Sequence, residues 1–197
     1  MLVEVLPEAI GLFVVTNVDD LVLLTVFFGR ATAPDGTRRV IAGQYLGFGA
    51  IVVVSVIAAL GARQLPGNLL SLLGLVPLTL GLKAGWDVWR HRNESDPDPL
   101  PPTTALGSTT VAAITFANGA DNIGVYVPVF AVAAAGVVLG TVAVFAVLVG
   151  LWCALGHWLA RRRPVALALS RWGHIVLPVV LIGIGVAILL EGGVVDL

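Results

Sequence analysis

Thiols are almost absent from this chain: of its 197 residues one is cysteine, Cys153, and one is methionine, Met1. An internal disulfide, a Cys-x-x-Cys redox pair and a thiolate metal cluster are therefore excluded. Charge is scarce as well, with 12% Asp, Glu, Lys and Arg, where a soluble domain carries about 25%. The net charge of −1 carries no message about partners, and no nucleic-acid partner is expected. The phosphate-cradling pattern GxxxxGK[ST] and the nucleophile pattern GxSxG do not occur. Serine is rare, and His91, His157 and His174 stand apart from the acids buried in apolar sequence. Neither a nucleotide motor nor a membrane-embedded hydrolase is encoded, and the chain is read as no enzyme. The N-terminal MLVEVLPEAI holds two Glu and no Lys or Arg, where a cleaved secretory signal is basic. It is read as the start of the first helix.

What the chain has in quantity is apolar surface: 58% of its residues are hydrophobic and mean hydropathy is +0.99. The apolar runs are continuous rather than alternating, which selects helices over a barrel as the membrane-spanning form. Polar and turn-forming segments leave six stretches, at 5–28, 40–62, 68–86, 107–133, 137–159 and 174–191. The expected fold is all-α: a polytopic membrane protein with six transmembrane helices. Residues 1–89 form a first three-helix unit, 90–106 an acidic, proline-rich cytoplasmic linker, and 107–197 a second three-helix unit. Within the linker, Glu94, Asp96 and Asp98 are read as solvated charge rather than as an antenna for cations.

Orientation follows from the basic residues, which accumulate in cytoplasmic loops. Arg30, Arg38, Arg39, Lys83, Arg90, Arg92, Arg161, Arg162, Arg163 and Arg171 flank the odd-numbered connections, and only Arg63 falls on the other side. Both termini are then extracytoplasmic, and Trp86, Trp89, Trp158 and Trp172 gather at the cytoplasmic interface, where amphipathic rings are favoured. The run at 161–163 is an orientation signal rather than a binding patch.

Several infrequent residues return at one offset: Asn17 and Asn118, Asp20 and Asp121, Gly49 and Gly150, Pro77 and Pro178 are each 101 residues apart. Duplication of a three-helix unit explains this, and an odd number of spans per unit forces opposite topologies. The halves are expected to form an inverted repeat, the architecture of secondary transporters whose sites lie at the midplane between the copies.

Of the twelve acids, Asp19, Asp20 and Asp121 lie deep in apolar sequence with no basic residue at comparable depth. A carboxylate at the bilayer centre costs roughly 2.5–3.5 kcal/mol, so these three require protons or a bound cation to neutralise them. Asn17 and Asp20 are three apart, as are Asn118 and Asp121, and Asn118 and Asn122 are four apart, spacings that put each set on one helix face. Asn118-Gly119 is a poor helix former in mid-span, so local unwinding is expected there, as it is in the stretch that follows Pro7. Asp20 and Asp121 are the expected metal ligands, with Asp19 as a third, and Asn17, Asn118 and Asn122 complete an oxygen shell. Thr16, Thr25 and Thr115 are read as hydrogen-bonding glue between helices. Oxygen ligands suit harder divalent ions. Cys153 and His157, one turn apart, are the available softer ligands and are read as core and interface.

The stretches FVVTNVDDLVLLTVFF at 13–28, ITFANGADNIGVYVPVFA at 114–131 and HIVLPVVLIGIGVAILLE at 174–191 resemble the cadmium resistance transporter family, a branch of the lysine-exporter superfamily. The resemblance implies a bacterial inner-membrane exporter of Cd²⁺ in which Asp19, Asp20, Asn118, Asp121 and Asn122 face the substrate. No permanent cofactor is expected: the divalent cation is cargo and protons are the exchange partner. Membrane lipid surrounds the chain, and a homo-oligomer is compatible with the sequence. The alternatives are export of another divalent cation, such as Mn²⁺ or Zn²⁺, and export of an amino acid.

Overall fold

The computed structural model describes residues 2–31, 33–66, 69, 72–90, 107–161, 178–179 and 181–190. They form α1 (Leu2–Thr16), α2 (Val18–Arg30), α3 (Gly36–Ala62), a 3₁₀ turn (Leu72–Gly74), α4 (Leu75–Arg90), α5 (Ser108–Asn118), α6 (Ala120–Val132), α7 (Ala135–Leu159) and α8 (Leu181–Leu190). No strand occurs among the described residues. The 90–106 linker beyond Arg90, and the expected markers Arg162, Arg163, Arg171, Trp172, His174, Glu191 and Asp196, lie outside the described residues.

Helix α3, with 27 residues, and α7, with 25, are long and apolar enough to cross a bilayer. The α1–α2 pair makes a third span if its 60° bend falls within one crossing. Length and composition thus give two or three spans where six stretches were expected. The stretch 107–133 is cut at Gly119 into helices of 11 and 13 residues, each short of the about 20 a span needs. Helix α4 has 16 residues and starts later than residue 68. Pro77 sits in its first turn, where a missing N–H has no intrahelical acceptor to lose.

Hydroxyls inside apolar helices are satisfied locally. Thr16 donates to Leu12 O at 2.9 Å, Thr25 to Leu21 O at 2.7 Å and Ser55 to Ile51 O at 2.8 Å, so each leaves an apolar flank to its neighbours.

The packing exchanges partners between the two halves of the chain. Helices α1 and α2 lie mainly on α7, whereas α5 and α6 lie on α3. Glycines permit the close approach on the α3 side: a Cβ added at Gly47 would sit 2.6 Å from Ala112 O and 2.8 Å from Thr115 Cβ. Between the two groups lies an aromatic core, in which Phe13 meets Trp152, Phe145 and Phe48 at centroid distances of 5.2, 5.4 and 5.5 Å. Tyr126 adds a contact with Phe145 at 5.2 Å.

Contacts of α3 with α7, and of the 74–85 stretch with 178–185, fall on or near residues 101 apart. Tyr45 donates across to Ala146 O at 2.9 Å. Gly81 packs on Ile182, with Gly85 beside Pro178 and Gly74 beside Gly185, so α4 and α8 cross in antiparallel fashion. At one end of the bundle the Arg63 guanidinium donates to Phe130 O, at 2.8 Å, and to Ala133 O. It caps the last turn of α6, which gives Arg63 a structural role. At the opposite end Arg39 pairs with Asp35 at 2.6 Å on the surface, and Trp86 and Trp89 are exposed with ring centroids 5.1 Å apart.

Candidate cation site

Both broken helices break at the residues singled out by sequence. Asn17 separates α1 from α2 with φ −121° and ψ 18°, and Gly119, directly after Asn118, separates α5 from α6 with φ −91° and ψ 19°. An amide next to glycine is a weak helix former, and Asn17 competes for its own helix by donating from Nδ2 to Phe13 O at 2.8 Å. Each break places carboxylates in the first turn of the helix that follows, Asp19 and Asp20 in α2 and Asp121 in α6. There the unpaired N–H groups of a helix start favour negative charge.

The two breaks face each other. Asn118 Nδ2 donates to Asp19 Oδ2 at 2.9 Å and to Asp20 Oδ1 at 3.0 Å, joining the end of α5 to the start of α2. Asn122 Nδ2 reaches Asn17 Oδ1 at 3.4 Å, and its backbone N–H donates to Asp121 Oδ1 at 3.0 Å. Asp20 lies in electrostatic range of both Asp19 and Asp121. Asp20 is 2% exposed, whereas Asp19 and Asp121 open toward the surface of the bundle. The six residues expected from sequence therefore gather at the two breaks in two bonded sets, Asn118 with Asp19 and Asp20, and Asn122 with Asn17 and, through its backbone N–H, Asp121. Among the described residues no group of three or more His, Cys, Asp and Glu is arranged to hold a metal ion by itself. The Asn118 amide stands between Asp19 and Asp20.

Asn17 is occupied inward. Besides Phe13 O, its Nδ2 donates to Thr16 Oγ1 at 2.8 Å and to Tyr126 OH at 3.0 Å. The Thr16 hydroxyl also bonds Tyr126 OH at 2.8 Å, so α1 and α6 are tied by a hydroxyl–amide cluster beneath the carboxylates. The Asn17 carbonyl at the break accepts the Trp152 indole N–H at 2.7 Å. The backbone oxygen expected to become free at that unwound point is thus held by α7.

Three participants were not singled out by the sequence reading: Gln44, Tyr126 and Trp152. Gln44 donates from Nε2 to Asp20 Oδ2 at 3.0 Å and accepts from Thr115 Oγ1 at 2.8 Å. Its signal is present, since Gln44 is the lone carboxamide in the apolar stretch 40–62 and stands between Gly43 and Gly47. Cys153 is buried, and His157 packs edge-on against Phe28 at 5.1 Å.

The chain matches the family model described as cadmium resistance transporter over residues 13–197, nearly its whole length. The chain belongs to the cadmium resistance transporter family. No curated protein and no solved structure matches it. Membership in a transporter family accords with a helical chain whose longest helices can cross a bilayer. The matched region contains both breaks and every residue of the crossing.

Proposed function

We propose that this protein exports a divalent cation, Cd²⁺ in the first instance, from a bacterial cytoplasm across the inner membrane in exchange for protons. One observation carries the reading: two broken helices meet at their breaks, with Asp20 buried among side-chain amides and Asp19 and Asp121 at the exposed margin of the same crossing. Membership in a family described as cadmium resistance transporter supports the substrate class.

Asp20 and Asp121 are the principal ligands, Asp19 is a third, and Asn17, Asn118 and Asn122 steer or complete the oxygen shell. Carboxylates must be deprotonated to bind a metal, so cation and proton compete for the same oxygens. That competition is the coupling: cation binding expels protons, protons expel the cation, and binding weakens as pH falls. Carboxylates that act on one shared cation titrate as a coupled set, so the empty site holds at least one proton and the cation displaces it.

The six-span, inverted-repeat arrangement belongs to the same proposal. Support comes from the exchanged packing, α1–α2 on α7 and α5–α6 on α3, and from contacts centred on residues 101 apart in both the α3–α7 and α4–α8 pairs. A two-fold axis in the membrane plane relates such contacts, and the carboxylates lie where it passes between the breaks. The basic loops orient the linker to the cytoplasm and both termini outward.

The all-oxygen and amide lining favours a second reading, export of a harder ion such as Mn²⁺. Transport by protein reconstituted in vesicles decides between them. Asp20→Asn and Asp121→Asn keep side-chain shape and remove one charge each. Both are expected to abolish exchange of Cd²⁺ or Mn²⁺ for protons with little loss of folded protein. Exchange at the unmutated rate in both variants overturns the site.

A further inference from the structure

We propose that Gln44 is a ligand of the transported cation, brought to it by rotation of its carboxamide, and that it sets which ions the site prefers. This inference rests on the divalent-cation reading above. Gln44 is 3% exposed in the middle of α3, pressed against α5 by its glycine neighbours, since a Cβ at Gly43 would fall 2.6 Å from Ser108 O. Its two functions point in opposite directions, Nε2 to Asp20 Oδ2 and Oε1 to Thr115 Oγ1.

Both oxygens of Asp20 therefore receive side-chain N–H groups, Oδ1 from Asn118 and Oδ2 from Gln44. A cation approaching Asp20 meets N–H dipoles with their positive ends toward it, and binding requires those dipoles to turn. Half a turn about the last side-chain bond of Gln44 exchanges N–H for C=O with almost no change in volume. The carbonyl oxygen then faces the cation on Asp20, a hard ligand beside a carboxylate.

The other end of the amide stays bonded through the same rotation. Thr115 Oγ1 donates to Oε1 in the orientation described. A hydroxyl both donates and accepts, so it takes the Nε2 N–H once the amide has turned. Without a cation the turned amide would set Oε1 against Asp20 Oδ2, so the described orientation is the resting one, and a cation between the two oxygens is what makes the turned one favourable. A carboxamide backed by a hydroxyl is thus a two-position ligand, and no net charge is added to the membrane interior when the cation is absent.

Binding of Cd²⁺ and of Mn²⁺ to the purified full-length protein, measured by calorimetry for wild type first, tests this. Wild type that binds neither ion overturns the functional reading itself, before any variant is considered. Gln44→Met replaces a hard oxygen with a soft sulfur of similar reach, and is expected to shift the ratio of Cd²⁺ to Mn²⁺ affinity about tenfold toward Cd²⁺. Equal loss of both affinities, or an unchanged ratio, makes Gln44 a brace and overturns the inference. Gln44→Glu decides if the Met variant is not monodisperse. A ligating carboxylate raises Mn²⁺ affinity about fivefold or more. As a brace it loses the N–H to Asp20, adds like charge and lowers affinity, which overturns the proposal.

Discussion

At the residue scale, the break at Asn17 is held open by one bond from another helix. The Trp152 indole donates to Asn17 O at 2.7 Å while its ring packs edge-on to Phe13 at 5.2 Å. Trp152→Phe keeps an aromatic ring and removes the donor, leaving a buried carbonyl without its partner. Thermal unfolding in detergent is expected to show a loss of about 1–3 kcal/mol, larger than for Trp158→Phe on the exposed side of α7. Equal effects of the two variants overturn the role given to the indole. The carboxylates and Asn residues were legible in the sequence because charge and amide in apolar sequence carry a cost that demands a reason. Trp152 and Tyr126 were not, because aromatic rings are ordinary in a helical core and their polar atoms matter only once the partner helix is placed. Gln44 lay between these cases, its amide visible but its register against Asp20 fixed by the α3–α5 contact.

At the element scale, the helix positions were legible and their continuity was less so. Asn118-Gly119 marked one break to the residue, whereas the unwinding expected after Pro7 was not located, and the structure puts it ten residues on at Asn17. The carboxylates and the partner helix α7 make the second break, through contacts 135 residues apart in sequence. Arg63 is another element-level device that reads in sequence only as a stray charge. Two bonds from its guanidinium to Phe130 O and Ala133 O fix the end of α6 and its turn into α7. Arg63→Met keeps much of the apolar stem and deletes both bonds. It is expected to destabilise the protein by about 1.5–3 kcal/mol, with cation affinity unchanged because the cap lies at the opposite end of α6 from Asp121. A fall in affinity without a fall in unfolding temperature contradicts a purely capping role.

At the scale of the whole molecule, the halves interlock rather than stand side by side. Each broken pair rests on the long helix of the other half, so the groups that pack as bodies are α1–α2 with α7 and α3 with α5–α6. Helices α4 and α8 meet each other beside α6, against which α4 also packs, and their crossing provides the sharpest test of the proposed inverted arrangement. A Cβ at Gly85 would lie 3.6 Å from Pro178 Cβ, within the about 3.5–4.5 Å that a disulfide spans. Gly85→Cys with Pro178→Cys, in a Cys153→Ala background so that no native thiol competes, is expected to cross-link on mild oxidation in membranes. A protease site placed in 91–106 then separates two fragments that remain joined until reductant is added. A parallel arrangement that aligned the N-terminal ends of α4 and α8 would move Pro178 away from Gly85 and leave the fragments free under oxidation. A bond formed only between chains would instead put α4 and α8 at a surface shared by two copies. Either outcome removes the symmetry from which the midplane position of the carboxylates is inferred.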